Sequence, residues 1–362
     1  MQTSSLPTVR LGPPGPFPHA PLMHHLDRKW LHYAFLSRCG RQALIANLSV
    51  LGPSSGKVVA DPGAPATGRR SGTGTVEGQH MAILLTFEED RGWSATQFNA
   101  EQPELPWSAF RLPHPHGSPG AFRVAARGSG PALDVRLRRT SRPCTSQCAP
   151  FGTDEYLRWQ SEPGVLGFGT IKHGDGTVST TDMLGYHERV RGRWSWPALG
   201  GWVFGFVNDP AGPVGEAPPA ALVFTLIQPR HPAGAASGSV MLWRNGRMIR
   251  HFPRRNLQIA VSGVLSRDQV ALVPPLAGTL GTPPAAAVPS RLLITARLGD
   301  DRLVFDFHCR TAGRIANPSE TSLHPFSVHE TLGPCTVEGV IGGRSLSFRT
   351  QGIVEFAGGA HD

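Results

Sequence analysis

This chain repeats itself, and that repetition limits its fold more than any other feature. Residues 171–188 align without gaps on residues 338–355, at an offset of 167. The match sets the turn pair Asp175-Gly176 on Gly342-Gly343, Gly185 on Gly352 and Glu188 on Glu355. A weaker echo precedes each copy: residues 124–140 resemble residues 294–311, each with a Gly-containing turn followed by an alternating segment. Short apolar runs fill the rest, among them residues 43–50, 81–87, 203–207, 221–227 and 303–307. Alternation at period two, closed by pairs such as Asn245-Gly246 and Gly299-Asp300, is the pattern of β-hairpins. Only residues 154–160 offer a short helix. The expectation is an all-β protein of two tandem, related, antiparallel barrels or curved sheets, with a ligand crevice between them or at a barrel mouth. The predicted limits are a flexible Pro-rich arm over 1–24, one β domain over 25–185 and a second over 186–362.

Composition narrows the function. With 362 residues, 40% of them hydrophobic and 17% charged, the chain can fill two cores and is not of disordered type. The net charge of +9 raises nucleic acid as a partner, but the arginines are scattered. Their densest groups are short: Arg136, Arg138, Arg139 and Arg142, then Arg189, Arg191 and Arg193. A basic solvated surface is the simpler reading, with no nucleic-acid partner. Residues 1–21 lack a secretory apolar region and no run of 18 apolar residues occurs, so a cytoplasmic protein without membrane insertion is expected. Five scattered cysteines read as free thiols. His24-His25 and His114-Pro115-His116 lie in Pro-rich stretches without a third ligand, so no metal and no cofactor is expected. Nucleophilic Ser/His/Asp catalysis lacks any fitting turn motif.

One segment concentrates chemistry. Gly185-Tyr186-His187-Glu188-Arg189 is followed by Trp194, Trp196 and Trp202. An imidazole and a carboxyl group beside indole rings suit acid–base or hydrogen-bonding work on an apolar ligand. His187, Glu188, Tyr186 and Arg189 are the candidate catalytic residues. Trp30, His32, Tyr33, Trp194, Trp196, Trp202 and Trp243 are the candidate substrate contacts. On a strand His187 and Glu188 point to opposite faces, so only one of them, with Tyr186 or Arg189, can line a cavity. His187 is the stronger candidate, because its counterpart before Glu355 in the repeat is not a histidine. The plainer alternatives are Glu188 paired with an arginine to lock the two barrels, and His32 and the tryptophans as core.

Three segments carry a family resemblance: Trp30-Leu31-His32-Tyr33 running through residues 43–50, residues 185–193 with the tryptophans behind them, and Gly352-Ile353-Val354-Glu355-Phe356. Together they resemble the carotenoid 1,2-hydratase (hydroxyneurosporene synthase) superfamily. That group also contains tocopherol cyclase-like proteins and lipocalin-like enzymes that close decalin rings by [4+2] cycloaddition. The resemblance implies two lipocalin-like halves and a biosynthetic enzyme acting on an elongated apolar polyene or polyketide-like molecule, as a monomer or homodimer. The hydratase pattern has a second histidine where this chain has Arg189, and arginine does not exchange protons at useful pH. Hydration of an alkene needs a positioned acid. An intramolecular [4+2] closure, as in antibiotic-type specialised metabolism, needs mainly a shaped cavity and one hydrogen-bond donor: Tyr186, His187, Arg189 or His32. Cyclisation is therefore the favoured expectation. Isoprenoid hydration or acid-catalysed cyclisation, and a non-catalytic lipid or pigment carrier, are the alternatives.

Overall fold

The computed structural model describes residues 26–52, 79–100, 107–111, 121–126, 132–150, 155–172, 176–194, 199–229, 236–272, 287–317 and 326–359. The expected N-terminal arm, Trp196, His24, His25, His114 and His116 lie outside them. Period-two alternation becomes strand nearly throughout. The first half contains β1 (Asp27–Ser37), β2 (Gln42–Leu51), β3 (Gln79–Glu88), β4 (Gly92–Ala100), β5 (Trp107–Arg111), β6 (Ala121–Ala126), β7 (Ala132–Arg138), β8 (Cys144–Pro150), β9 (Tyr156–Lys172) and β10 (Val178–Arg193). The second contains β11 (Leu199–Asn208), β12 (Ala220–Pro229), β13 (Ser237–Arg244), β14 (Arg247–Pro253), β15 (Leu257–Ser262), β16 (Val270–Leu272), β17 (Arg291–Leu298), β18 (Asp301–His308), β19 (Thr311–Asn317), β20 (Phe326–Ile341) and β21 (Arg344–Gly359). Residue 186 thus lies inside β10, the last strand of the first sheet.

The repeat in sequence is a repeat in topology. The first sheet runs β4-β3-β2-β1-β10-β9-β7-β6-β5, with β8 also on β9. The second runs β14-β13-β12-β11-β21-β20-β18-β17-β15, with β19 also on β20. These are the same order, strand for strand. Both are antiparallel apart from the short β16–β19 pair. The hairpin turns form as expected: Asn245 and Gly246 take φ of 48° and 74°, Gly342 and Gly343 of 57° and 73°. Such paired positive φ values match the twist of the flanking strands. Gly185 has a different reason to be glycine, since a Cβ there would lie 2.3 Å from Phe35 of β1.

Residues 156–160, expected as a helical turn, are the start of β9. Leu157 and Trp159 are buried and alternate with exposed Tyr156 and Arg158, a period-two burial that packing against β8 and β10 enforces.

Alternation along the strands divides the interior into three cores. In β1, Leu31, Tyr33 and Phe35 face one core with Leu44, Leu84 and Val165. Trp30, Ala34 and Leu36 face a second, which also takes Trp202, Phe204 and Phe206 from β11. A third, filled by Phe224, Phe252, Phe305 and Phe307, lies on the other side of the second sheet. The middle core joins the two sheets face to face.

A bulge fixes how they dock. Between Gly185 and Tyr186 the β10–β9 register shifts, leaving Gly164 of β9 (φ 74°) as the extra residue. Asn208 of β11 fills the gap: its Nδ2 donates to the Gly185 carbonyl at 3.1 Å, and its Oδ1 accepts from the Gly164 N–H at 3.1 Å. A side-chain amide of one sheet thereby replaces the missing ladder bonds of the other. All five cysteines are free. Among the described residues no helix is long and apolar enough to cross a membrane.

Candidate functional site

At one point in the middle core both sheets place carboxyl groups. On the first sheet His32 of β1 stands opposite Glu188 of β10. On the second, Glu330 of β20 stands opposite Glu355 of β21. All four are 4% exposed or less except Glu355, at 8%. They line a cavity of about 70 Å³ together with Trp30, Trp202, Asn47, Ser49 and aliphatic side chains of both sheets. A larger cavity of about 470 Å³, lined by Arg38, Cys39, Asp306, His308 and Arg349, lies elsewhere. It holds no group of facing buried acids, so the chemistry points to the smaller one.

Each sheet holds its carboxyl group with an indole. Trp30 Nε1 donates to Glu188 Oε1 at 3.0 Å, and Trp202 Nε1 donates to Glu355 Oε1. The two indoles face each other with centroids 6.4 Å apart and planes at 30°. Glu188 receives two more bonds on Oε2, from Trp159 Nε1 at 2.6 Å and from Tyr186 Oη at 2.9 Å. The Tyr186 oxygen also lies 2.7 Å from Ser161 Oγ.

Burial controls the protonation of this group. It pushes Glu188 up to about 8, helped by the nearby charge of Glu355 and opposed by the indole and phenol bonds. Glu330 is pushed well above the carboxylate range by burial and then by Glu355. Glu355 is raised by burial and pulled back by bonds from Glu330 and Trp202. Glu330 therefore donates to Glu355, and one proton is held between them, because two touching carboxylates in an apolar site cannot both be ionised.

His32 completes the ring. Burial holds its imidazole neutral, with its pKa lowered to about 3. Ser49 Oγ donates to Asn47 Oδ1 at 2.5 Å, which leaves Asn47 Nδ2 to face His32 Nδ1 at 3.5 Å. Nδ1 is then the acceptor and Nε2 carries the hydrogen. His32, Glu330 and Glu355 bring ligating atoms within 4.8 Å of one another, a set of the kind that can hold a metal ion.

The residues expected from sequence separate into two places. Tyr186 and Glu188 face the middle core, whereas His187 and Arg189 face the other side. His187 stacks on Tyr33, with centroids 4.2 Å apart and planes at 12°. Its Nδ1 lies 3.0 Å from the His32 carbonyl oxygen, and Arg189 Nε donates to Nε2 at 3.4 Å. Burial, and then the charge of Arg189, holds its pKa down to about 3 despite the His32 carbonyl bond. Glu162, bridged to Arg139 at 2.6 Å, is buried nearby. Trp30, His32 and Trp202 line the cavity. Trp194 packs on Trp30 at 5.5 Å as core, and Trp243 bonds the Arg142 carbonyl at 3.1 Å, away from the cavity. Glu188 is bonded to indoles and a phenol instead of the expected arginine. Sequence reasoning missed Glu330 and Trp159. The signal for Glu330 was available, since counting back from Gly342-Gly343 sets it against Glu355.

No protein-family profile and no curated protein sequence matches this chain. Solved structures do match. An AttH-designated protein from Nitrosomonas europaea is 14% identical with a TM-score of 0.57, covering 92% of each chain. The fold is lipocalin-like, in two tandem copies. CghA in complex with Sch210972 shares it at 10% identity and a TM-score of 0.53, over 92% of this chain and 88% of that one. Kievitone hydratase from Nectria haematococca does so at 12% and 0.52, over 95% of each. At such identities the likeness concerns the lipocalin-like fold, and chemistry must be argued from the carboxyl cluster.

Proposed function

We propose that this chain is an enzyme that folds an elongated, apolar, unsaturated small molecule between its two sheets and promotes ring closure with a buried carboxylic acid. The carrying observation is the Glu330–Glu355 pair, which stores a proton in an apolar cavity beside two indole faces. An acid in that setting can polarise a conjugated carbonyl, lowering a [4+2] barrier by about 2–4 kcal/mol. Restricting a flexible chain to one reactive conformer can contribute up to about 7–11 kcal/mol more. The cavity of about 70 Å³ admits only the reacting part, against ~300–1,000 Å³ for usual ligand sites, so substrate binding must widen it. CghA, a [4+2] cyclase, has this fold, which supports the reading.

Full proton transfer from the same pair gives a second reading, hydration or acid-catalysed cyclisation of an alkene. The objection raised by Arg189 loses its force here. Arg189 is exposed on the far face of β10, and the acid comes from β20 and β21 instead. Kievitone hydratase shares the fold as well.

The deciding experiment is turnover of polyene and polyketide-like extracts in D₂O, read by mass spectrometry. A ring-closed isomer without deuterium at ring carbons is the expected product. Carbon-bound deuterium in a ring-closed product indicates acid-catalysed closure, and addition of one D₂O indicates hydration. Tight retention of an unchanged ligand, unaffected by Glu330→Gln, would make the protein a carrier.

A further inference from the structure

The acid pair leaves one neighbouring group without an occupation. His32 is 3% exposed, and its Nε2 has no hydrogen-bond partner. Oε2 of Glu330 is likewise unpartnered. Both residues line the same cavity, with ligating atoms within 4.8 Å. Leaving a buried N–H unbonded is unfavourable by about 1–3 kcal/mol, so such a donor marks a place where an acceptor belongs.

The hydrogen is fixed at that place. Ser49 donates to Asn47 Oδ1 and Asn47 Nδ2 faces Nδ1, which leaves Nε2–H unbonded on a ring that lines the cavity with the acids. The ring is held edge-on to Phe204, with centroids 6.0 Å apart and planes at 80°. A relay of three side chains on β1 and β2 therefore presents one neutral donor beside a stored proton.

We infer that the substrate carries a carbonyl oxygen, which accepts a hydrogen bond from His32 Nε2–H and lies next to the free oxygen of Glu330. A pure hydrocarbon polyene leaves this donor unsatisfied. An α,β-unsaturated ketone, ester or amide satisfies it and places its conjugated double bond against Trp30 and Trp202. The inference rests on the small-molecule enzyme reading above and specifies the substrate class for that site.

The test uses the full chain and β-ionone, a conjugated dienone, beside the hydrocarbon of the same skeleton lacking oxygen. Binding is followed by quenching of tryptophan fluorescence, and the carbonyl stretch by difference infrared spectroscopy. The dienone should bind roughly tenfold or more tightly than the hydrocarbon, with its carbonyl band moved to lower wavenumber. His32→Phe, which copies Phe204 of the second half, should abolish both the preference and the band shift. Asn47→Asp should abolish the shift while keeping the imidazole, because a carboxylate draws the hydrogen onto Nδ1. Equal binding of both probes, or a band shift that survives His32→Phe, overturns the inference and leaves the enzyme reading intact. Failure of both probes to bind or quench overturns the small-molecule site itself, and the inference with it.

Discussion

The two halves of this protein share a framework and differ in what they place on it. Trp30 stands opposite Val190 and Trp202 opposite Ala357, which are counterparts at the offset of 167, so the two indoles occupy equivalent positions. Each donates to an equivalent glutamate, Glu188 or Glu355. Around that common pair the halves diverge. Opposite its glutamate the first half has Ser161, and the second has Glu330. Two residues beyond its tryptophan the first half has His32, and the second has Phe204. Tyr186 and His187 of the first half correspond to Ile353 and Val354 of the second. The Trp–Glu pair is thus common to both halves. In the proposed reaction the copies contribute differently where they departed from each other: the first supplies the neutral donor and the second the extra acid.

The sharpest way to break this account is to make the second half resemble the first. Glu330→Ser removes the stored proton and should lower turnover by ~10²–10⁴-fold while the fold survives, as seen by comparing rates with urea midpoints. The reverse exchange, Ser161→Glu, adds a further carboxyl group against Tyr186 and Glu188. It should destabilise the protein by about 2–5 kcal/mol, because a buried charge without a partner is costly; an unchanged urea midpoint would refute the burial argument.

Acidity offers a third test. Glu188 is raised from 4.5 to about 8, so the folded state keeps a proton that the unfolded chain loses. Its contribution is complete below pH 4.5 and is lost as pH rises through about 8. His32 and His187 are lowered from 6.5 to about 3, and their contribution is present above pH 6.5 and lost as pH falls through about 3. Thermal midpoints should therefore decline on both sides of mildly acidic pH, and Glu188→Gln should flatten the alkaline limb only. The smallest effect separates the two indoles. Trp202→Phe should cost about 1–3 kcal/mol. Trp30→Phe should cost less on this count, because Glu188 keeps its bonds from Trp159 and Tyr186. Equal losses by calorimetry would contradict that ranking.

Much of the architecture was legible in the sequence because hairpins announce themselves locally. The pairs Asn245-Gly246 and Gly342-Gly343 demanded positive φ, and the offset of 167 carried one topology onto the other. Strand parity likewise separated Glu188 from His187. Parity alone does not say which face meets the other sheet, and that is a tertiary fact. His187 therefore drew attention for its chemistry, while Glu188 occupies the cavity. Glu330 was hidden for the same reason: its partner follows from the turn, but its direction follows only from docking. Residues 154–160 misled because a few residues of mixed polarity fit a helical turn until Leu157 and Trp159 find their neighbours.

Asn208 gives the docking a further meaning. The bulge it fills adds one residue to β9, and the side chains below that point take their facing from the addition. Were Gly164 drawn back into the ladder, Trp159 and Ser161 would rotate away from Glu188, and Arg158, Gln160 and Glu162 would turn inward. A single amide on one copy thus sets the reading frame of the other. A first half cut free of the second would lose that amide, and with it the mark that sets its register.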